Sequence, residues 1–192
     1  MRTVNPEQHA ARRAAILRAA ADEFAEAGVD GTSTSAICKR AGIGSGTLFH
    51  YFPTKRDIVH ALFAAGFERN AGVCERALAE KSAEDGFRLL VDNLVADLGN
   101  PHAPGLTVAA LLQAIRDDEF AEKLDADQKL TRDTLAALLR RRSGTPPVFS
   151  PERTAAWILR VVNATYMSAG EPGFVADEEI AELRRLIDSL AG

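Results

Sequence analysis

The amino-acid sequence predicts an all-α protein of about nine helices, a small N-terminal three-helix unit joined to a larger C-terminal helical bundle. Three observations carry that expectation. Alanine, leucine and arginine are abundant while β-branched and aromatic residues are sparse, a balance that favours helices. Apolar residues recur at three- and four-residue intervals in segment after segment, with no alternating strand pattern and no repeat. Capping and turn residues punctuate those segments. At 192 residues, 46% hydrophobic and 26% charged, the chain is long enough to bury a core and ordinary enough to be globular.

A first helix is expected over 7–27, where Ile16, Leu17, Ala20 and Phe24 share one face and Gly28 is a natural stop. Ser33 offers its hydroxyl as the cap of a second helix. Gly42 suits a tight turn because a Cβ resists positive φ, and a third short helix then runs up to Pro53. Ile37, Ala41, Ile43, Leu48 and Phe52 have the spacing to make one small core. Thr54 and Asp57 fit a capping box opening a fourth helix that runs to about residue 80, with Ile58, Leu62, Phe63 and Phe67 as its stripe.

Further helices are expected near 84–98, 105–116 and 118–142. The last of these opens on Asp117-Asp118-Glu119 and closes on Arg140-Arg141-Arg142, complementing the helix dipole. Gly144, Pro146 and Pro147 place a loop over Ser143–Ser150. Pro151 suits the first position of a helix reaching Ala169; Glu171-Pro172-Gly173 breaks it, and a final helix covers 177–190.

Two cysteines, Cys38 and Cys74, lack CxxC spacing, and His9, His50, His60 and His102 are scattered, so neither a metal site nor a cofactor is expected. A reducing cytoplasm is the simplest setting. Arg12, Arg13 and Arg18 interrupt any signal-peptide core, and the apolar run Leu106–Ile115 is too short to span a bilayer. No HExxH, nucleophile elbow or phosphate loop occurs, so no catalytic residues are assigned. Net charge is −4, but residues 1–57 hold eight Lys/Arg against six Asp/Glu while 58–192 hold fifteen against twenty-one. A basic head on an acidic body can face phosphates.

Residues 33–57 therefore read as helix, tight turn, helix, then a capped third start. That is a helix-turn-helix, able to place one helix in the DNA major groove. The stretch also resembles the DNA-binding signature of the tetracycline-repressor (TetR) family: Ala41-Gly42-Ile43, Gly46-Thr47-Leu48, Tyr51-Phe52 and Lys55 sit at the family's spacings, within a match from about 12 to 63. Gly44, Phe49, Ala36 and Cys38 stand where relatives usually place a polar cap, a tyrosine, an acid and an alanine.

The resemblance implies a DNA-binding unit over 1–55 and an effector-binding and dimerisation body over 56–192. It implies that Ser45, Gly46, Thr47, Phe49, His50 and Tyr51 face double-stranded DNA, and that Ser33, Thr34, Thr47, Thr54 and Lys55 mainly hold phosphates. It further implies a homodimeric repressor released from its operator by a small, largely apolar effector. Phe63, Phe67, Phe87, Leu94, Trp157 and Tyr166 are the candidates to line the effector pocket, although the aromatics among them are first of all core. Ile158, Val162 and Thr165 on the penultimate helix, with Leu183, Leu186 and Ile187 on the last, are the candidates for a two-fold interface; the alternative is that both stripes bury inside one chain. An activator, a regulator without a small-molecule effector, a helical interaction module and a helical-scaffold enzyme are the competing readings.

Overall fold

In the computed structural model, which describes residues 6–142 and 149–192, every regular element among the described residues is helical. Among the described residues there are nine helices: α1 Pro6–Gly31, α2 Thr34–Ala41, α3 Ser45–Tyr51, α4 Lys55–Ala79, α5 Ala83–Val95, α6 Ala103–Arg116, α7 Asp118–Arg141, α8 Pro151–Ser168 and α9 Ala176–Ala191. Residues 143–148 of the expected loop, with Gly144, Pro146 and Pro147, lie outside the described residues.

Local chemistry sets most boundaries. Gly28 adopts φ 70° and ψ 168° within α1, a conformation L side chains resist, so the helix breaks its path at the expected stop but gains a further turn through Gly31. Ser33 Oγ accepts from Ala36 N at 3.1 Å and starts α2. Gly42, at φ 64° and ψ 37°, ends it, and Ile43 N donates back to Cys38 O at 3.0 Å. Thr54 and Asp57 form the complete capping box of α4, with Asp57 N donating to Thr54 Oγ1 at 3.1 Å and Thr54 N to Asp57 Oδ2 at 2.9 Å. Ser150 Oγ accepts from Arg153 N at 3.3 Å at the start of α8, with Pro151 in its first turn. A second boundary also differs from expectation. α5 stops at Val95 and continues as turns, because Tyr166 Oη faces the Asp97 N–H at 3.2 Å while Leu98 still turns into the core.

Two apolar clusters hold the chain together. The first joins Ile16, Phe24, Ile37, Leu48, Phe52 and Ile58 and also takes in Ala110 of α6 and Phe120 of α7. The second joins Phe87, Leu90, Leu135, Leu138, Ile158 and Ile187. Full burial of each large apolar side chain contributes about 1.5–3 kcal/mol. α4 serves both, with Ile58 and Val59 in the first and Val73, Cys74 and Ala77 in the second. It is the rod between the N-terminal helices and the bundle.

α6 packs flat on α1. Gly105 permits it: a Cβ there would lie 2.8 Å from Ala25 Cα and closer still to the Ala25 carbonyl oxygen. The other side of α6 leaves Val108, Leu111, Leu112 and Ile115 exposed. Among the described residues, no helix is long and apolar enough to cross a membrane.

Candidate nucleic-acid interface

α3 is a short helix with one fully buried anchor, Leu48, while Ser45, Gly46, Thr47, Phe49 and His50 are exposed. Phe49 is 47% exposed, a large apolar ring left in water. A helix this short is marginal by itself. Here Leu48 and the following Phe52 pin it, and the Arg13 guanidinium sits over the Phe52 ring at 5.3 Å. Gly44 caps α3 without a side-chain bond, as a glycine must. Tyr51 is half-buried against two imidazoles, His9 of α1 at 4.5 Å and His50 at 5.5 Å between ring centroids. That packing fixes the direction of the phenol.

The phosphate candidates divide. Thr34 is half-buried. Ser33 and Thr54 are exposed, but their hydroxyls are occupied as helix caps, and Thr54 Oγ1 also donates to Asp57 Oδ2 at 2.7 Å. Lys55 Nζ donates to Val29 O at 2.7 Å and Thr32 O at 3.0 Å, which ties the start of α4 to the α1–α2 connection. Thr32 is buried and its Oγ1 bridges Glu23 O at 2.9 Å and Gly28 O at 2.8 Å. Arg40 of α2 locks onto α1 through Glu23 at 2.6 Å and Glu26 at 2.7 Å, and these bonds hold its guanidinium well above the usual arginine range. The helix-turn-helix is thus braced on its α1 side, with its α3 side open.

A second cluster links this unit to the bundle. Asp117, at the junction of α6 and α7, is 8% exposed. It accepts from Arg56 Nε at 2.7 Å and Arg56 Nη2 at 2.8 Å, from Gln113 at 3.0 Å and from Phe120 N at 3.2 Å, with His60 Nε2 at 2.8 Å. Arg56 first, and His60 next, hold its carboxyl far below the usual carboxylate range. Glu119, bonded to Lys123 and to Arg56, is lowered to about 2. Arg116, one residue before Asp117, pairs with Asp30 beyond the Gly28 break. The first turns of α4 and the end of α1 are therefore both fastened to the end of α6.

Residues 16–62 match the family model described as "Bacterial regulatory proteins, tetR family". The chain belongs to the TetR family of transcriptional regulators. The match covers α1 from Ile16 onward, α2, α3 and the start of α4, the segment whose geometry is described above, and the chain is a DNA-binding regulator on that ground. The HTH-type transcriptional regulator UidR of Escherichia coli K12 is 26% identical over 174 residues, 90% of this chain and 84% of UidR. A TetR transcription regulator from Haloarcula marismortui superposes with a TM-score of 0.75 at 19% identity, over 95% of this chain and 97% of that one. The regulator FadR from Bacillus subtilis, solved in complex with stearoyl-CoA, superposes with a TM-score of 0.69 at 19% identity, over 93% and 97%. The last two show the fold.

The six effector-pocket candidates do not meet in one cavity. Phe63 and Tyr166 do, in a space of about 330 Å³ lined also by Leu106, Leu124, Asn163 and Met167. Phe67 instead packs near Phe120, with ring centroids 6.3 Å apart. Phe87 is 2% exposed in the second core and stacks under the Arg142 guanidinium. Leu94 faces a neighbouring cavity, and Trp157 is exposed on α8 with Arg160 at 5.2 Å over its ring.

Four of the six interface candidates need correction. Ile158, Val162, Leu183 and Ile187 are buried within this chain's own second core, so they have no surface left for a partner. Helical periodicity identified stripes that are buried, and the burying surface is α8 on α9 with α5 and α7. Leu186 is exposed and Thr165 half-buried. Arg56, His60, Gln113 and Asp117 are the residues that sequence reasoning missed. Asp117 was visible only as acid at a helix start, and its partners on α4 lie 57 and 61 positions away.

Proposed function

We propose that this TetR-family regulator is a homodimeric repressor, with residues 1–55 as its DNA-binding unit and 56–192 as its effector-binding and dimerisation body. The observation that carries the DNA-binding half is the outward face of α3, where five of seven residues are exposed around the single anchor Leu48. Ser45, Thr47 and His50 supply hydrogen-bonding groups for base edges, and Phe49 a surface for a thymine methyl. Lys55 and the caps Ser33 and Thr54 act mainly by setting the angle of α3. Thr34 and the backbone N–H groups beside those caps are left for phosphates.

The cavity between α4, α6, α7 and α8 supports an effector in the body. Stearoyl-CoA on a protein of the same fold supports it further. α6 lines that cavity with Leu106, Thr107 and Ala110, and its far end carries the Asp117 cluster that grips Arg56 and His60 of α4. A ligand that favours one placement of α6 therefore biases the placement of α4 and α3. It releases DNA only by its different affinity for the two states. Dimerisation uses the outward sides of α8 and α9, where Trp157 and Leu186 are exposed and Thr165 lines a groove of about 660 Å³ with Phe174. Such a regulator works in the cytoplasm and has no catalytic role.

The test is a titration of the protein against labelled DNA from upstream of its own gene, followed by anisotropy over a salt series with scrambled competitor. The reading expects competitor-resistant binding that weakens as salt rises. It also expects Tyr51→Ala to lose that resistance while the protein stays folded. Equal binding to both DNAs, unchanged by the substitution, refutes it.

A further inference from the structure

A second cavity of about 320 Å³ adjoins the first, and Gln128 and Asn163 line both as a common wall. Asp127 of α7 faces this second space. A chain of amides from two other helices presents it: Asn70 Nδ2 of α4 donates to Asp127 Oδ1 at 2.8 Å and to Thr131 Oγ1 at 2.8 Å, while Asn93 Nδ2 of α5 donates to Asn70 Oδ1 at 3.3 Å. No basic residue forms an ion pair with Asp127 among the described residues. Arg132 and Arg160 edge the same cavity, but Arg160 is held over the Trp157 ring and neither pairs with the carboxylate. Burial pushes the Asp127 carboxyl up from its ordinary range, the signature of a sunken anion without a counter-charge.

The first cavity is complementary. Its walls are largely apolar, with Phe63, Leu106, Leu124 and Met167, and among the described residues they include no Lys, Arg or His. An effector with a carboxylate or phosphate head would find no opposite charge there and would meet Asp97 at the exposed rim. Gln128 and Asn163 make no side-chain hydrogen bond among the described residues, so nothing latches the wall, and their amide oxygens can accept from an ammonium.

We propose that the effector of this regulator is a small organic cation, with its ammonium on Asp127 and its apolar part in the chamber of Phe63, Leu106, Leu124 and Met167. This rests on the reading of the body as an effector site. A half-buried carboxylate without a counter-charge is costly in the empty protein and is relieved by a ligand cation, so the site selects by charge as well as by shape.

Isothermal titration of the full chain with octylammonium, 1-octanol and octanoate tests it, because the three share an eight-carbon skeleton and carry heads of different charge. Octylammonium is expected to bind about tenfold more tightly than 1-octanol, as a charge-assisted bond exceeds a neutral one, and octanoate is expected not to bind. Asp127→Asn keeps an oxygen for Asn70 and is expected to erase the ammonium advantage while leaving 1-octanol binding intact. Asp97→Asn is expected to leave the advantage in place. Equal affinity for ammonium and alcohol, a preference for octanoate, or an advantage that survives Asp127→Asn or vanishes with Asp97→Asn overturns the proposal while leaving the effector site standing. If none of the three binds, the effector reading of the cavity falls with it.

Discussion

Gly46→Ala separates the proposed DNA contact from folding, because the two effects are expected to have opposite signs. Gly46 is the second residue of α3, and a Cβ built there meets no atom within 4 Å. The free protein accommodates the methyl without strain. Replacing glycine by alanine in a helix stabilises by about 0.5–1 kcal/mol, which for a chain of this size raises the melting temperature by about 1–4 °C. In the proposed DNA complex the same methyl would occupy the space through which the α3 backbone approaches the groove. Losing one good contact there costs about 1–3 kcal/mol, a weakening of roughly 5–150-fold. Thermal unfolding and anisotropy on one preparation read both quantities. Wild-type DNA affinity in a Gly46→Ala variant would refute the assignment of α3 as the recognition surface. Gly105→Ala is the mirror case. Its Cβ would lie 2.8 Å from Ala25 Cα, against an ordinary contact of about 3.5–4.0 Å, so α6 must move ~1 Å off α1. Backbone overpacking exceeds the gain in helix propensity, for a net loss of about 2 kcal/mol and a fall of about 4–8 °C.

Thr54→Ala removes the capping box of α4, with an expected loss of about 1 kcal/mol and a melting temperature lower by about 2–4 °C in a thermal scan. Lys55→Met cuts the bonds to Val29 and Thr32; hydrogen exchange should speed up in the α1–α2 connection while the α8–α9 core keeps its protection. Asp127→Asn should raise the melting temperature at pH 7 and do little at pH 3. Its folded-state pKa is raised, so the protonated form favours folding and that contribution is lost as pH climbs through the folded value. Asp117→Asn should act oppositely: the folded pKa is lowered by Arg56, so the wild-type carboxylate stabilises above the ordinary carboxylate range. The melting-temperature gap between wild type and variant should therefore narrow as pH falls below that range.

The parts legible in the sequence are those whose causes lie within a few residues. Ser33 capping Ala36, Gly42 at positive φ, and Thr54 with Asp57 are all local chemistry, and each occurs as read. The α5 terminus departs from the periodic pattern where the Asp97 N–H donates to Tyr166 of α8, a partner that local sequence does not reveal. Periodicity told that Ile158 and Ile187 face something apolar, but it cannot say whether that surface belongs to the same chain or a second copy. Lys55 shows a related gap. A lysine at a helix start reads as a phosphate ligand, but two of its ammonium's three donors go to carbonyls that only the fold brings within reach. The Asp117 cluster and the Asn70–Asp127 chain join α4 to α7 across tens of residues, and no spacing rule in the sequence announces them.

The most direct test of the central claim is selection of bound sequences from random duplex DNA by the full-length protein. A dimer that reads DNA through α3 predicts enrichment of a two-fold symmetric site, with half-sites separated by about one helical turn or a multiple of it. Enrichment of a single asymmetric element, or none above background, would contradict it.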